Sequence, residues 1–365
     1  METDTSRIIS DTDLNDTYKK YTHKRILFII FCIITAVIAI GVSITIGGRD
    51  ISFTEVYHIL YNHLIGVDYP VGSSEWMDDQ IVWNLRLPRS IFALIAGAAL
   101  AVGGAVMQSV MKNPLADPYT TGVSSGACFG VAVALALGIV ATSGSQMDQY
   151  GVIINAFIFA LIPVAIIILL SPRSRSPATL ILAGVAVSYL FNALNTIVLI
   201  STDSETLASV YQWQIGSLAD LSWDDLLLVT LITVAGTICA LAVSKKLNLL
   251  LLGDDSAKSL GLDANSLRIV CLLILSLMTA AVISYAGVIG FIGLISPHIV
   301  RLIIGSDNRY LIPAAAAFGA TFLIIADIVS RIVSDINAVP VGIMISFIGA
   351  PIFLYLVVKN KRSLW

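Results

Sequence analysis

The chain contains a series of continuous apolar runs, most of them long enough to cross a bilayer as a helix, which takes roughly 20 residues. Only 12% of its residues are charged and 57% are hydrophobic, whereas soluble domains carry about 25% charged residues. A transmembrane β-barrel would need short segments of alternating polarity, and these runs do not alternate. The sequence therefore predicts an all-α, polytopic membrane protein.

The apolar runs predict about ten transmembrane helices. In chain order their predicted bounds are 26–46, 88–111, 119–140, 152–170, 178–200, 225–243, 267–285, 287–304, 311–332 and 340–358. Residues 26–358 thus form the predicted transmembrane domain, and residues 1–25 and 359–365 are predicted tails. Residues 1–20 are polar and rich in Asp and Thr, which is typical of disordered segments, and residues 68–79 are predicted to form a loop.

Lysine and arginine are unevenly distributed if the helices alternate from a cytoplasmic N-terminus. Seventeen of the 21 then lie in or beside cytoplasmic segments. Positive residues collect in the cytoplasmic loops of membrane proteins, so the pattern places both termini inside the cytoplasmic (inner) membrane. The outer exceptions are Arg49, Arg86, Arg89 and Arg331.

Residues 248–268 form the longest charged insertion between two apolar runs in the second half of the chain. Gly253 and Gly261 are typical of helix ends, and aspartates after Gly253 are good helix caps. They predict two short helices, one at 256–260 and one starting near Ala264. On the cytoplasmic side and carrying Lys258 and Arg268, this segment fits a docking surface, although an ordinary polar loop has the same pattern.

Three glycines, Gly122, Gly126 and Gly130, are spaced four residues apart in the third predicted span. This spacing puts them on one helix face and predicts close approach of another backbone.

Asp327 is the clearest ionisable residue within a predicted span. It precedes Arg331 by four residues, which favours an ion pair on one helix face. Carboxylates inside membranes are also typical of proton relays, so both interpretations stay open.

Arg86, Arg89 and Arg331 lie at the outer ends of predicted spans. Cationic groups at an outer mouth fit an acidic partner protein or an anionic solute. They fit lipid phosphate as well.

The sequence offers no pattern for catalysis. It contains no Gly-Lys dipeptide, which excludes the phosphate-binding loop GxxxxGK[ST]. The four cysteines lie in apolar runs without metal-ligand spacing, and the four histidines form no HExxH cluster. We therefore predict no catalytic residues, no metal site, no cofactor bound by this chain and no nucleic-acid partner.

Several linked motifs, in a constant order from residue 84 to residue 358, resemble the FecCD-type permeases of ABC importers for iron–siderophores, haem and vitamin B12. They are Arg86-Leu87-Pro88-Arg89, Gly104–Gln108, Asn113-Pro114-Leu115-Ala116-Asp117-Pro118, Gly122–Ala127, Gly253–Leu262, Gly290–Leu294, Pro297-His298 with Arg301, Ala326–Arg331, Pro340-Val341-Gly342 and Gly349-Ala350-Pro351. The N-terminal tail and the acidic segment 66–80 lie outside the resemblance.

The resemblance implies a type II ABC importer with ten spans per subunit, working as a homodimer or pseudodimer with its pathway at the interface. It implies that two separate ATP-binding subunits, which use the ATP, dock on residues 248–268. The matching coupling residues here are Gly253, Lys258, Gly261 and Leu262.

On the outer side, the resemblance implies that a solute-binding protein docks by its carboxylates onto Arg86, Arg89 and Arg331. Asn113 and Leu115 match residues of the cytoplasmic gate. A second gate segment falls near 176–179, where Pro177 and Ala178 differ from the Thr/Ser of the vitamin B12 permease.

These observations predict a non-enzymatic permease subunit for ATP-driven uptake of a metal chelate, in contact with membrane lipid. Two alternatives stay open. An ion- or proton-coupled secondary transporter would work without an ATPase, and a membrane scaffold would transport nothing. The motifs are shared across the family, so they predict a class of solute and not one chelate.

The predicted topology is testable by cysteine labelling after the four native cysteines are replaced by alanine. In intact cells, an impermeant maleimide should label Gly72→Cys, in the predicted outer loop, but not Lys258→Cys. In inverted vesicles Lys258→Cys should become reactive, because the insertion faces the cytoplasm. Labelling of Lys258→Cys from the outside alone would contradict the topology.

Overall fold

The computed structural model describes residues 11–140, 149–170, 177–333 and 339–359, and the regular structure within them is helical. In chain order the helices are α1 (Asp11–Ser43), α2 (Phe53–Leu64), α3 (Ser74–Gln80), α4 (Leu87–Met111), α5 (Val123–Leu137), α6 (Gln149–Leu170), α7 (Pro177–Ile200), α8 (Ser204–Ile215), α9 (Leu226–Leu251), α10 (Asp254–Ser259), α11 (Ala264–Ala286), α12 (Ile292–Ile304), α13 (Asn308–Ile332) and α14 (Val341–Lys359).

Among the described residues, seven helical segments are long and apolar enough to cross a membrane. The shorter apolar helices α5, α12 and α14 lie at three further predicted spans. The structure therefore confirms the all-α, polytopic class.

Helix α4 lies at the centre of the bundle. The apolar window of its segment is 78% buried, whereas those of α1, α7 and α9 are each 22% buried. It packs against α9, α11, α12 and α13. The peripheral helices leave their outer faces to lipid or to another protein.

Small residues allow α4 to reach that position. A Cβ atom on Gly97 would overlap the backbone of Gly319 in α13, and one on Gly104 would overlap the carbonyl group of Gly293 in α12. Close backbone approach at small residues is the usual basis of helix association in membranes. The centre is therefore filled by helix backbone and side chains.

The glycine face predicted in the third span is confirmed for α5. Cβ atoms on Gly126 and Gly130 would overlap the carbonyl oxygens of Phe159 and Asn155 in α6. Gly122 differs because it precedes the helix, with a left-handed φ of 83°.

A continuous helical segment replaces the second half of the outer loop expected at residues 68–79, whereas residues 67–73 are non-helical, as the prediction has it. Helix α3 begins because Ser73 Oγ accepts a 3.1 Å hydrogen bond from the N–H of Trp76. A π-helix, Ile81–Arg86, then joins α3 to α4. Pro88 explains this wider turn, since proline lacks an N–H group and its ring collides with the carbonyl four residues earlier in a regular helix.

Two further boundaries differ from the prediction. Helix α1 begins at Asp11 and runs through the expected tail boundary at residue 25. The second short helix of the insertion is instead the first turn of α11, because the Asp263 side chain caps the N–H groups of Asn265 and Ser266. Residues 1–10 and 360–365 of the predicted tails lie outside the described residues.

The eighth predicted span is also shorter than expected. Helix α12 has 13 residues, about 20 Å at 1.5 Å per residue, against a hydrocarbon core of roughly 30 Å. Residues 287–291 are irregular, and both Gly287 and Phe291 have a positive φ. Protein covers this segment, as irregular backbone in a membrane requires. Nearby, the N–H of Ser217 donates to the carbonyl of Ala286 at 2.9 Å.

The close approach of α4 to α12 predicts that Gly104→Ala destabilises the fold. Overpacking in a filled interior costs about 1–3 kcal/mol, so the purified protein should unfold at a lower temperature in detergent. Gly290→Ala is the matched control, because a Cβ there meets nothing within 4 Å. Equal unfolding temperatures for the two variants would contradict the packing argument.

Candidate functional site

Arg86 lies beneath the end of α1. It is 5% exposed, and its guanidinium donates to the carbonyls of Ile44 at 3.2 Å, Thr45 at 3.1 Å and Arg49 at 2.5 Å. Carbonyl groups at a helix C-terminus lack partners within the helix. Arg86 therefore caps the end of α1 and the turn that follows.

Asp327 is fully buried between two arginines. Arg89 donates to its Oδ1 from Nε at 2.9 Å and from Nη2 at 2.7 Å. Nη2 of Arg331 lies 2.9 Å from its Oδ2, and Nη1 of Arg331 also donates to the carbonyl of Ser43 at 2.8 Å. The expected pair of Asp327 and Arg331 is confirmed, whereas Arg89 as a partner was missed, since it lies on another helix.

The three arginines are therefore not the exposed cations that the sequence analysis expected. The side chains of Arg331 and Arg89 are only 6% and 12% exposed, because both pair with the buried Asp327 and Arg331 also donates to carbonyls at the end of α1. Asp78 is itself paired with Arg49. With Asp50, whose carboxylate lies close enough to act on the charge of Arg86, four arginines face three carboxylates, which leaves a surplus of one positive charge. Docking of a binding protein on Arg86, Arg89 and Arg331 stays a prediction.

The loop after α4 holds the two residues matched to a gate. The N–H of Asn113 donates to the carbonyl of Gln108 at 3.1 Å, and its Oδ1 accepts from the N–H of Leu115 at 2.9 Å. Leu115 is 47% exposed. Asn113 thus shapes the turn, and Leu115 projects from it. Of the second gate segment, Ser176 lies outside the described residues and Thr179 is exposed.

Helix α10 forms the centre of the insertion. It follows Gly253, whose φ is 114°, and it is closed by Gly261, two residues after its last residue, whose φ is 79°. The N–H of Gly261 donates to the carbonyl of Lys258, and that of Leu262 donates to Ala257, both at 2.9 Å. These two bonds form a Schellman motif, which confirms the predicted helix stop.

The exposed side of α10 carries both charge and apolar surface. Lys258 and Gly261 are exposed, and Leu252 and Leu260 are 65% and 61% exposed on either side of the helix. Leu262, in contrast, packs against the main apolar core. The helix is therefore anchored on one face and open on the other.

An ion cluster joins α10 to the loop after α4. Lys112 Nζ lies 2.5 Å from Asp254 Oδ1, and Arg268 Nη2 donates to both oxygens of Asp254 at 2.8 Å. Partial burial disfavours the charged carboxylate, but the hydrogen bonds from Lys112 and Arg268 outweigh it and hold the pKa of Asp254 below its usual range. The cluster therefore stays charged at neutral pH.

Helix α7 has an outer face unlike that of α1. The exposed residues of α7 include Tyr189, Asn192 and Thr196, in the middle of the 23-residue apolar segment Ala178–Ile200. The outer stripe of α1 is largely aliphatic, for example Ile34 and Ile38. An amide group facing hydrocarbon has no hydrogen-bond partner, so the α7 face is suited to water or to another protein.

The sequence profile of the FecCD transport family matches residues 33–359. The chain belongs to the FecCD transport family.

Relatives of this FecCD chain are permeases of import systems. It is 39% identical to the cobalamin import system permease protein of Halobacterium salinarum over 278 residues, which are 76% of this chain and 73% of the relative. It is 33% identical to the hemin transport system permease protein of Yersinia pestis over 343 residues, 93% of this chain and 97% of the relative.

A solved structure also resembles the FecCD chain. It is described as an inward-facing conformation of a metal-chelate type ABC transporter. The TM-score is 0.78 at 31% sequence identity, and the match covers 91% of this chain and 98% of the other. The fold is thus shared along nearly the whole length.

In the part of the FecCD chain that the structure describes, no three His, Cys, Asp or Glu side chains form a group that could hold a metal ion. The described residues instead form ion clusters at the two ends of α4, and helix α10 has one exposed face.

The ion cluster around Asp327 predicts that Asp327→Asn destabilises the protein strongly. The change leaves Arg89 and Arg331 buried without a counter-charge, which typically costs about 3–5 kcal/mol. Thermal unfolding in detergent measures this, with the exposed Asp220→Asn as the matched control. In a double-mutant cycle, Arg89→Gln should cost less when Asp327 is already Asn, and strictly additive losses would contradict the pairing.

Proposed function

We propose that this chain is the transmembrane permease subunit of an ABC importer that takes up a metal chelate of the siderophore, haem or corrinoid class across the cytoplasmic membrane. The observation that carries the proposal is α10, a capped helix that packs against the core on one face and is exposed on the other. The sequence of this FecCD chain lacks a phosphate-binding loop. The names of the relatives supply the class of solute.

The open face of α10 is the docking surface for a pair of cytoplasmic ATP-binding subunits in this proposal. Gly253 and Gly261 set its two ends, Lys258 supplies charge and Leu262 anchors it to the core. The distribution of lysine and arginine supports this side as cytoplasmic, with both termini inside. The ATP is bound and hydrolysed by those partners.

The solute pathway lies between two copies of the chain, which work as a homodimer. A chelate is much wider than a simple ion, and α4 fills the centre of a single bundle. The exposed face of α7, with Asn192 and Thr196, supplies a lining of mixed polarity. Such a lining lets a solute pass without binding tightly.

Two further roles belong to the same proposal. Asn113 and Leu115 form part of the cytoplasmic gate, supported by the projecting Leu115 side chain. Arg86, Arg89 and Arg331 attract carboxylates of an extracytoplasmic solute-binding protein. The surplus positive charge of their cluster supports this role, since charge acts over several ångströms on an approaching partner.

The buried Asp327 does not favour the alternative of a proton-coupled carrier. A relay carboxylate has to exchange protons with a pathway, whereas Asp327 is fully buried and held by two arginines.

Reconstitution in proteoliposomes with the proposed ATP-binding and solute-binding partners tests the proposal. Uptake of radiolabelled ferric siderophores, haem and cobalamin is measured with ATP, with a non-hydrolysable analogue and with an ionophore. We expect uptake of one of these chelates that requires ATP hydrolysis and continues with the ionophore. Uptake that needs no ATP and stops with the ionophore would establish secondary transport instead.

A further inference from the structure

The ion cluster of Lys112, Asp254 and Arg268 joins three segments that the proposed function treats separately. Lys112 directly precedes the gate residue Asn113, and Asp254 is the first residue of α10. Arg268 lies in α11 and is 5% exposed. One carboxylate therefore bridges a lysine beside the gate and an arginine within the bundle.

We propose that Lys112, Asp254 and Arg268 form a latch that transmits movement of α10 to the gate loop, residues 112–117. The inference rests on the proposed function and names positioning residues for it. Each contact is a charge-assisted hydrogen bond, the stronger kind in proteins. The latch is thus a direct connection between the ATPase docking surface and the proposed gate.

Both ends of α10 carry a glycine. Gly253 has a φ of 114° and Gly261 a φ of 79°, and Cβ atoms there would meet little or nothing. Glycine has the least restricted backbone of any residue, and residues at the ends of helices often serve as hinges. Asp254 follows Gly253 and is held by Lys112 and Arg268. A displacement of α10 therefore has to strain or break these two contacts.

The gate loop is compact enough to follow Lys112. The backbone of Lys112 is left-handed, with a φ of 49°, a conformation that costs energy for a residue other than glycine. The turn that follows is closed by the bond between Leu115 and the Asn113 side chain and by a 3.1 Å bond from the N–H of Ala116 to the carbonyl of Asn113. Pulling on Lys112 therefore moves Asn113 and Leu115 together.

Lys112 is the residue to change in a test. Its side chain is 26% exposed, so Lys112→Met leaves no buried charge stranded and Arg268 keeps its carboxylate. Lys112→Arg is the conservative rescue, because it restores a cation within reach of Asp254. The matched control is Lys245→Met, which removes an exposed lysine at the inner end of α9.

The measurement uses the full permease with its ATP-binding partner in lipid nanodiscs and needs no chelate. A spin label at Leu115→Cys reports the mobility of the gate loop before and after addition of a non-hydrolysable ATP analogue, and ATP hydrolysis is assayed on the same samples. We expect Lys112→Met to reduce the nucleotide-driven population shift about tenfold, within the usual range of allosteric coupling. Hydrolysis and unfolding temperature should match those of Lys245→Met, and Lys112→Arg should recover the shift.

Two results would overturn the latch while the proposed function stands. One is a normal loop response in Lys112→Met, and the other is a parallel loss of hydrolysis and loop response, which would indicate a general role in assembly. If the unmodified protein neither binds the ATPase nor changes at Leu115, the proposed function itself fails, and the latch fails with it.

Discussion

The rest of the structure depends on the close approach of helix backbones around α4. Gly97 and Gly104 let α13 and α12 come within backbone contact of it, and lipid offers no hydrophobic effect that would draw the helices together instead. The consequence is a bundle without room for a pore at its centre. Any wide solute route has to lie outside a single bundle, where the mixed face of α7 is exposed.

Both ends of α4 carry charges that hold other segments in place. At its N-terminal end Arg89 reaches Asp327 of α13. At its C-terminal end Gln108 accepts from Arg301 at 2.8 Å, Ser109 donates to Asn308 at 2.8 Å, and Lys112 pairs with Asp254. A central helix joined at its C-terminal end to α10, α12 and α13 is well placed to carry movement between the exposed face of α10 and the loop after α4.

The sequence predicted the helices more reliably than their ends. Long apolar runs identified the spans, and Gly261 identified the end of α10 because only a few residues adopt its left-handed conformation. Helix α3 was predicted as part of a loop, because several of the residues after its cap at Ser73 are acidic and acidic residues are common in loops. The eighth span was predicted to start at residue 287, whereas α12 starts at Ile292. The prediction was too early because residues 287–291 are apolar, although their backbone is irregular.

Local sequence by itself determined the membrane class, the positions of the apolar helices, the glycine that ends α10 and the family resemblance, since hydropathy and helix capping act between residues close in the chain. Tertiary structure alone decided which charges meet between different helices. Arg89 and Asp327 are 238 residues apart, and Lys112 and Asp254 are 142 apart. Such pairs depend on the rotation and depth at which each helix packs, and no pattern within either helix encodes the position of the other. For the same reason, arginines that looked exposed in the sequence are buried in the fold.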